Sequence, residues 1–318
     1  MRYDEPVLAV DVGGTKLAAG VVTPEGVLVG HRRRPTPVTA DAEVIWAALA
    51  ELIETVLTEY GRPVAAAGIG CGGPMSWPAG EVSPINMPAW RGFPVRTRVA
   101  DLLTGGTGHR EMGPVRLHND AICVAVGEHW RGAGRGVPDV LGMVVGTGVG
   151  GGLVLGNRLI DGASGNAGHI GHVLAESDGR VCGCGALGCL EGIARGPAIV
   201  QQAQEDGWRG EPTGVALAAA ATAGNPLALA AYARAGRALG VAIASAVNLT
   251  DVSLVTIGGG VIQTGPSLLD PLAQAYADRA RLPFSRRPRV LPAQLGQAAG
   301  LVGAAALVLR GDRYWSGD

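Results

Sequence analysis

The chain has 318 residues, of which 47% are hydrophobic and 17% are charged, and its formal net charge is -1. This length allows two domains with a sizeable core, and the composition excludes an intrinsically disordered chain. The near-neutral charge argues against non-specific binding of nucleic acid or of an anionic membrane. Asp4 and Glu5 stand where a signal peptide needs positive charge, so we expect a cytoplasmic protein.

The chain begins with a predicted β-hairpin whose turn is rich in glycine. Apolar runs at Val7–Val10 and Leu17–Val22 flank the turn Asp11-Val12-Gly13-Gly14-Thr15-Lys16, and a third strand is predicted at Val27–Val29. The turn offers consecutive backbone N–H groups, a hydroxyl and an ammonium group. Because glycine lets the backbone approach an anion closely, the turn is predicted to cradle a phosphate.

The next segment alternates helices and strands. The predicted elements are a helix over 41–60, a strand over 64–70, a helix over 95–103, a strand over 115–117 and a helix over 121–130. Asn86, in the turn Pro84–Pro88, is a candidate for binding hydroxyl groups. His118-Asn119-Asp120 joins the strand at 115–117 to the helix that follows.

Asp120 has two interpretations of equal weight. One is a carboxylate stabilised by the dipole at a helix N-terminus. The other is a general base at the carboxyl end of a strand, where open α/β sheets bind ligands. Such a carboxylate can accept the proton of a hydroxyl that attacks a phosphoryl group.

The second half of the chain repeats the opening pattern. A strand over Val140–Val145 leads into a glycine turn, Gly146-Thr147-Gly148-Val149-Gly150-Gly151, and a strand at Leu153–Leu155 follows. Helices are predicted near 197–206, 214–223, 226–248 and 266–280. Between the last two, a strand over Val252–Ile257 ends in a third glycine turn, Gly258–Gly260. The repeat predicts two related α/β domains facing a cleft. None of the turns matches a P-loop or a dinucleotide-binding motif.

The segment Asn166–Glu191 contains three cysteines and two histidines. His172, Cys182, Cys184 and Cys189 form the pattern H-x9-C-x-C-x4-C, the ligand set of a closed Cys3His zinc site. Disulfides and buried free thiols are the alternatives, and a metal suits a long chain without an export signal better. The site would bring His172 together with two further candidates for ligand binding, namely His169 and Glu191. Cys71 and Cys123 stand alone and are expected to be buried hydrophobic residues.

Together these motifs resemble the ROK family of sugar kinases and sugar-responsive repressors, in the actin-like ATPase superfamily. The matching motifs span nearly the whole chain in the family's order: DVGGTK (11–16), CGGP (71–74), HND (118–120), GTGVGGG (146–152), GNAGHIGH (165–172), CGCGALGCLE (182–191) and IGGG (257–260). The resemblance implies two actin-like (ribonuclease H-like) α/β domains flanking a central cleft, with a structural zinc loop. The expected domains are 1–118 and 119–296, the zinc segment being 166–191 and the C-terminal helix, about 297–318, packing back on the first domain.

The resemblance also implies an ATP-dependent hexose 6-kinase, most simply a glucokinase, that uses Mg²⁺ and a structural Zn²⁺ and forms a homodimer or homotetramer. The phosphates and Mg²⁺ would bind at Asp11, Gly13, Gly14, Thr15, Lys16, Gly146, Thr147, Gly148 and Gly150, with Gly258, Gly259 and Gly260 against the adenosine. Asp120 would be the base. The sugar would contact Gly73, Asn86, Asn119, Asp120, His169, His172 and Glu191, and His172, Cys182, Cys184 and Cys189 would hold zinc.

His169 departs from the family pattern, which usually has glutamate at this place. A carboxylate only accepts hydrogen bonds, whereas a neutral imidazole accepts one and donates one. An altered sugar preference is therefore expected, and kinases for mannose, fructose, N-acetylglucosamine or N-acetylmannosamine stay open, as does polyphosphate as donor. A sugar-sensing regulator is disfavoured, because the turn at Asp11 leaves no room for a preceding helix-turn-helix and the phosphate turns and base are present.

Overall fold

The structure, a computed structural model, describes residues 3–105 and 113–317. The strands in these residues are β1 (Val7–Val12), β2 (Lys16–Val22), β3 (Leu28–Pro35), β4 (Ala67–Cys71), β5 (Met75–Ser76), β6 (Glu81–Val82), β7 (Val115–Asn119), β8 (Val140–Val145), β9 (Val149–Leu155), β10 (Arg158–Leu159), β11 (Leu254–Gly258) and β12 (Arg289–Pro292). The helices are α1 (Ala42–Tyr60), α2 (Val95–Gly105), α3 (Asp120–Arg131), α4 (Leu190–Ala194), α5 (Gly196–Glu205), α6 (Gly214–Thr222), α7 (Pro226–Thr250), α8 (Pro266–Arg279), α9 (Ala299–Leu309) and α10 (Gly311–Tyr314). Short 3-10 turns lie at Ile170–His172, Gly260–Thr264 and Gly296–Ala298. The predicted mixed α/β class is confirmed.

Two five-stranded sheets share one strand order. The first has the order β3-β2-β1-β4-β7 and the second has the order β10-β9-β8-β11-β12. In the first sheet β1 is antiparallel to β2 and parallel to β4, which is parallel to β7. In the second, β11 is parallel to both β8 and β12. This shared order confirms the predicted repeat of strand, glycine turn and strand.

Strand β1 is buried on both faces, which explains its continuous apolar sequence. Leu8, Val10 and Val12 pack in a core with side chains of α1 and α2, while Val7 and Ala9 pack in a second core with α3 and α9. The alternation follows from the two-residue period of a strand. Helix α9 lies directly on the sheet, since a Cβ atom at Gly68 would overlap the carbonyl oxygen of Ala304.

Contacts among the described residues group the chain into two compact units. Unit 1 comprises Met1–Pro138, Gly152–Gly168 and Gln294–Asp318, and unit 2 comprises Asp139–Gly151 and His169–Ala293. Helix α3 packs within unit 1 against α9, where a Cβ at Gly303 would overlap the carbonyl oxygen of Cys123. The domain boundary expected after His118 stays a prediction.

The C-terminal helix predicted over 297–318 is shorter in the structure. Helix α9 ends at Leu309, Arg310 leaves the helical conformation at φ -131° and ψ 40°, and α10 ends at Tyr314. Gly311, which follows the break, leaves room for the buried Arg116, because a Cβ there would overlap a guanidinium nitrogen of that side chain. Residue 318 of this helix, and residues 1–2 and 106–112 of the predicted first domain, lie outside the described residues.

The second glycine turn is shorter than predicted. Strand β9 begins at Val149, not Leu153, so Gly150 lies in a strand. Glycine in this strand lets α3 lie close to the later residues of β9, because a Cβ at Gly152 would lie 3.0 Å from the Cα of Ile122. The first half of β9 consists mostly of glycine, so it shows no alternation of apolar and polar side chains from which a strand could be predicted.

Helix α7 is long and apolar enough to cross a membrane by length and composition. However, 61% of its most apolar window is buried within the protein, which is typical of the core helix of a soluble protein. Gly236 and Gly240 allow this burial, since a Cβ at either would overlap a backbone carbonyl oxygen of α8.

Glu128 is a buried carboxylate that fastens the chain where it enters α9. Its carboxylate oxygens accept hydrogen bonds from the backbone N–H groups of Ala133, Gln294 and Leu295, at 2.9, 3.0 and 2.7 Å, and the residue is 1% exposed. A carboxylate that accepts several backbone N–H groups compensates its own desolvation.

We expect Glu128→Ala to lower the free energy of unfolding by about 3 kcal/mol or more, because three N–H donors would lose their buried acceptor. Thermal unfolding followed by circular dichroism measures this as a fall in Tm. The matched control is Glu59→Ala, which removes an exposed ion pair with Arg32 and is expected to cost about 1 kcal/mol or less. Equal Tm values for the two variants would refute the role of Glu128.

Candidate functional site

The motif residues of unit 1 gather at the carboxyl ends of three neighbouring parallel strands. Val12, Cys71 and Asn119 are paired across β1, β4 and β7. The glycine turn, the CGGP segment and Asp120 follow directly after these residues. Open α/β sheets bind ligands at this edge.

The first glycine turn is closed by short hydrogen bonds. The Gly13 N–H donates to the Lys16 carbonyl oxygen at 2.9 Å, and the Thr36 hydroxyl donates to the Gly13 carbonyl oxygen at 2.7 Å. The Thr36 N–H donates to the Thr15 carbonyl oxygen at 3.2 Å. Thr36, which no sequence motif marks and which directly follows β3, therefore holds the turn.

Asp11 and Lys16 form an ion pair at the base of the turn. Lys16 Nζ lies 3.7 Å from Asp11 Oδ2, and their side chains are 38% and 17% exposed. Burial raises the pKa of the Asp11 carboxyl above its ordinary value, and Lys16 opposes this shift. The start of α9 faces the same carboxylate, since a Cβ at Gly300 would lie 3.0 Å from Asp11 Oδ2. No sequence motif marks Gly300.

Asn86 lies over the first glycine turn. A Cβ at Gly14 would lie 2.6 Å from Asn86 Nδ2, and a Cβ at Gly72 would lie 3.6 Å from Asn86 Oδ1. The Ile85 N–H donates to the Gly73 carbonyl oxygen at 3.3 Å, which links this loop to the CGGP segment. Gly73 and Asn86 are thus brought next to Gly14.

Asn119 and Asp120 mark the change from β7 to α3. Asn119 is the N-cap of α3, and its side-chain oxygen accepts from the N–H groups of Ala121 and Ile122. Asp120 Oδ1 accepts from the Ala121 N–H at 2.8 Å. The Cα atom of Asp120 lies 3.6 Å from the position of a Cβ at Gly70, so the strand with the CGGP segment passes beside it.

In unit 2 the backbone N–H and carbonyl groups of Val149 contact three predicted site features. Its N–H donates to Glu191 Oε2 at 2.9 Å, and a Cβ at Gly148 would lie 2.8 Å from the same oxygen. Its carbonyl oxygen would be overlapped by a Cβ at Gly171. Glu191, the second glycine turn and the His169–His172 segment therefore meet at the start of β9.

The second and third glycine turns also lie together in unit 2. Gly258 is paired with Val144 in the parallel ladder, and Gly259, at φ 99°, leaves no room for a Cβ beside the Val145 carbonyl oxygen. The Gly196 N–H, at the start of α5, donates to the Gly146 carbonyl oxygen at 2.8 Å. Backbone groups of two glycine turns and of the start of α5 thus lie together around Gly146.

The rings of His169 and His172 lie side by side across a 3-10 turn. Their rings stack with centroids 6.0 Å apart at an interplanar angle of 23°. The His172 Nδ1 atom points toward Cys182 Sγ, 3.8 Å away, which leaves Nε2 on the other side of the ring.

The four predicted metal ligands form one cluster. The ligand atoms of His172, Cys182, Cys184 and Cys189 all lie within 4.8 Å of one another, and the Cys184 and Cys189 sulfurs are 3.7 Å apart. Two sulfurs bound tetrahedrally to zinc at about 2.3 Å would be about 3.8 Å apart. Burial raises the pKa of the Cys189 thiol to about 12, and a hydrogen bond from the Ala186 backbone lowers the pKa of the Cys184 thiol. Together, the donor set and spacing fit a zinc ion.

Cys71 and Cys123 are buried, as expected, and burial raises the pKa of both thiols well above the ordinary value. Inert thiols of this kind fill space.

A family model for the ROK family matches residues 7–311. The chain is 35% identical to a glucokinase of Streptomyces coelicolor, over 96% of this chain and 98% of the relative. It is also 35% identical to an N-acetylmannosamine kinase of Citrobacter koseri, over 96% and 99%. The crystal structure of a ROK glucokinase from Streptomyces griseus with glucose and AMPPNP superposes with a TM-score of 0.82 at 34% identity, covering 96% of this chain and 100% of that chain. The chain belongs to the ROK family.

Proposed function

We propose that this protein transfers the γ-phosphoryl group of ATP to the 6-hydroxyl of glucose. The broader class, ATP-dependent sugar kinase, is that of the glucokinase and N-acetylmannosamine kinase relatives. One observation carries the proposal: Asp120 lies at the end of β7, in the same sheet edge as the phosphate turn at the end of β1. A base and a phosphate cradle are thus offered on one rigid sheet.

The residues of this edge have complementary chemical roles. The Asp11–Lys16 turn presents backbone N–H groups and the Lys16 ammonium to the phosphates. Asp120 accepts the proton of the attacking sugar hydroxyl. Mg²⁺, when bound, would neutralise negative charge on the phosphates. It prefers oxygen ligands, and the Asp11 carboxylate could provide one. Catalysis in such a site is mainly positioning and charge stabilisation.

Unit 2 supplies the remaining candidates. Backbone groups around Gly146–Gly148 face phosphates, and Gly258–Gly260 lies against the adenosine. Glu191 commits Oε2 to the Val149 N–H, and Oε1 accepts from a sugar hydroxyl. His172 uses Nδ1 for the metal cluster and Nε2 for a second hydroxyl. In unit 1, the candidates for binding the sugar are Asn86, Asn119 and Gly73.

We propose that the cluster of His172, Cys182, Cys184 and Cys189 holds a structural Zn²⁺. Three thiolates and one imidazole saturate a tetrahedral ion, so no position is left for substrate. The ion would fix the loop between His172 and Glu191, because Cys189 is paired with Leu174 and the Leu190 N–H donates to the Val173 carbonyl oxygen. Zinc would thereby orient the two sugar-binding candidates without reacting itself.

N-acetylmannosamine is the second candidate substrate. Two observations favour it: a relative named as an N-acetylmannosamine kinase is 35% identical over 96% of this chain, and His169 can donate a hydrogen bond to an acetamido carbonyl oxygen. The two substrates differ at carbon 2 in both substituent and configuration, so a side chain that contacts carbon 2 would decide between them.

We expect His169→Glu to raise kcat/KM for glucose relative to N-acetylmannosamine by about tenfold or more, since one hydrogen bond to a substrate decides about 1–3 kcal/mol. Steady-state kinetics with both sugars measures the ratio. The control is His31→Glu, an exposed histidine on β3. An unchanged ratio in His169→Glu would show that this residue does not read the sugar.

The proposed reaction is tested by its product. Incubation with MgATP and glucose should give glucose 6-phosphate in equal amount to ADP, as detected by a glucose-6-phosphate dehydrogenase coupled assay and by ³¹P NMR. ADP release without sugar phosphate would indicate an ATPase and refute the proposal.

A further inference from the structure

A buried hydrogen-bond chain lies behind the proposed base. His118 is 0% exposed and Asp161 is 6% exposed, and His118 Nε2 lies 2.8 Å from Asp161 Oδ1. The other carboxylate oxygen of Asp161 accepts from the Ser316 hydroxyl at 2.6 Å. All three residues belong to unit 1, and none belongs to the phosphate turn or to the zinc cluster.

The hydrogen-bond pattern fixes the tautomer of His118. The Asn119 backbone N–H donates to His118 Nδ1 at 2.9 Å, so Nδ1 carries no proton. The proton of the neutral ring is therefore on Nε2, where it is donated to Asp161. An imidazole that both donates and accepts has its ring orientation determined at two points.

The chain of contacts continues to Asp120. His118 holds the Asn119 peptide, Asn119 Oδ1 caps the first N–H groups of α3, and Asp120 Oδ1 accepts from one of them, that of Ala121. Asp161 is itself held by its loop, since its backbone carbonyl oxygen accepts from the Ala167 N–H at 3.0 Å. Four successive links thus join Asp161 to the carboxylate of Asp120.

We propose that Asp161 is a positioning residue for phosphoryl transfer: through His118 it fixes the His118–Asn119 peptide, next to Asp120 in the chain, and so the direction of the base. The inference rests on the proposed function. Displacement of a catalytic group by about 1 Å costs on the order of 100-fold in rate. Ser316, in the segment after α10, donates its hydrogen bond to Asp161 and not to His118 or Asp120. We therefore expect Ser316 to contribute less to kcat than Asp161.

The test compares kcat in three variants of the full-length protein. Asp161→Ala removes both acceptor oxygens and should lower kcat about 10–100-fold, with KM for MgATP within about twofold. Asp161→Asn keeps an oxygen that can accept from His118 Nε2 and should restore most of kcat. If the negative charge of Asp161 were what the reaction needs, Asp161→Asn would be as slow as Asp161→Ala. The control, Tyr276→Phe, loses one partly buried hydrogen bond to the Ser285 carbonyl oxygen in unit 2 and should keep kcat.

A double-mutant cycle separates positioning from general destabilisation. If Asp161 acts through Asp120, Asp161→Ala should not lower the residual rate of an Asp120→Asn protein further. Multiplicative losses in the double variant, or wild-type kcat in Asp161→Ala, would overturn the inference while Asp120 keeps its role. Wild-type kcat in Asp120→Asn alone would instead refute the proposed base, and the positioning role with it.

Discussion

Asp120→Asn should lower kcat for sugar phosphorylation by about 100- to 10,000-fold, which is the usual contribution of a general base. The change is nearly isosteric, and the amide oxygen can still accept from the Ala121 N–H that Asp120 Oδ1 now binds at 2.8 Å. The start of α3 should therefore stay intact. Steady-state kinetics, with Tm as a check on folding, measures the effect.

The control for Asp120 is Asp41→Asn. Asp41 is also a carboxylate at a helix N-terminus, and its Oδ1 accepts from the Glu43 N–H at 2.8 Å. If Asp120 did no more than stabilise the N-terminus of α3, both variants would keep wild-type kcat, and the free energy of unfolding would fall by about a few tenths of a kcal/mol in each. That shared outcome would remove Asp120 from the mechanism.

Cys184→Ser should abolish zinc binding and, with it, sugar binding and turnover. Structural zinc in small Cys/His sites contributes on the order of 10 kcal/mol of binding free energy, which is also folding free energy for the loop. Cys184 is exposed, whereas Cys182 and Cys189 are buried, so this substitution removes a ligand without opening a cavity in the core. Loss of the ion would release the loop from His172 to Glu191.

Metal content and sugar affinity should change together. Inductively coupled plasma mass spectrometry should find about one zinc per wild-type chain and none in Cys184→Ser, and isothermal titration should show sugar binding only in the former. Ser177→Ala, at an exposed position of the same segment, is the matched control. Full sugar binding in a metal-free variant would contradict the structural role.

Short-range chemistry explains what could be predicted from the sequence. The glycine turn at Asp11–Lys16 and the repeat at Val140–Leu155 follow from alternation and from glycine content, which act locally. The cysteine spacing likewise brought Cys182, Cys184 and Cys189 together, because few residues separate them. These features need no knowledge of the tertiary structure.

Long-range contacts explain what could not be predicted. His118 and Asp161 are 43 residues apart, and the hydrogen bond between them leaves no local pattern. Gly300 approaches Asp11 only because α9 packs on the first sheet. The beginning of β9 at Val149 was missed for the same reason, since its glycines give no apolar alternation and its Val149 N–H meets the distant Glu191.

The most direct measurement is the rate of ADP release from MgATP by the purified protein with glucose, mannose, fructose, N-acetylglucosamine and N-acetylmannosamine in parallel. Rapid turnover with glucose, and at least tenfold lower kcat/KM with the other sugars, is the predicted result. Preference for N-acetylmannosamine would keep the kinase site and replace the substrate. Absence of sugar-dependent ADP release across the panel would contradict the assignment of Asp120 and the phosphate turn to hexose phosphorylation.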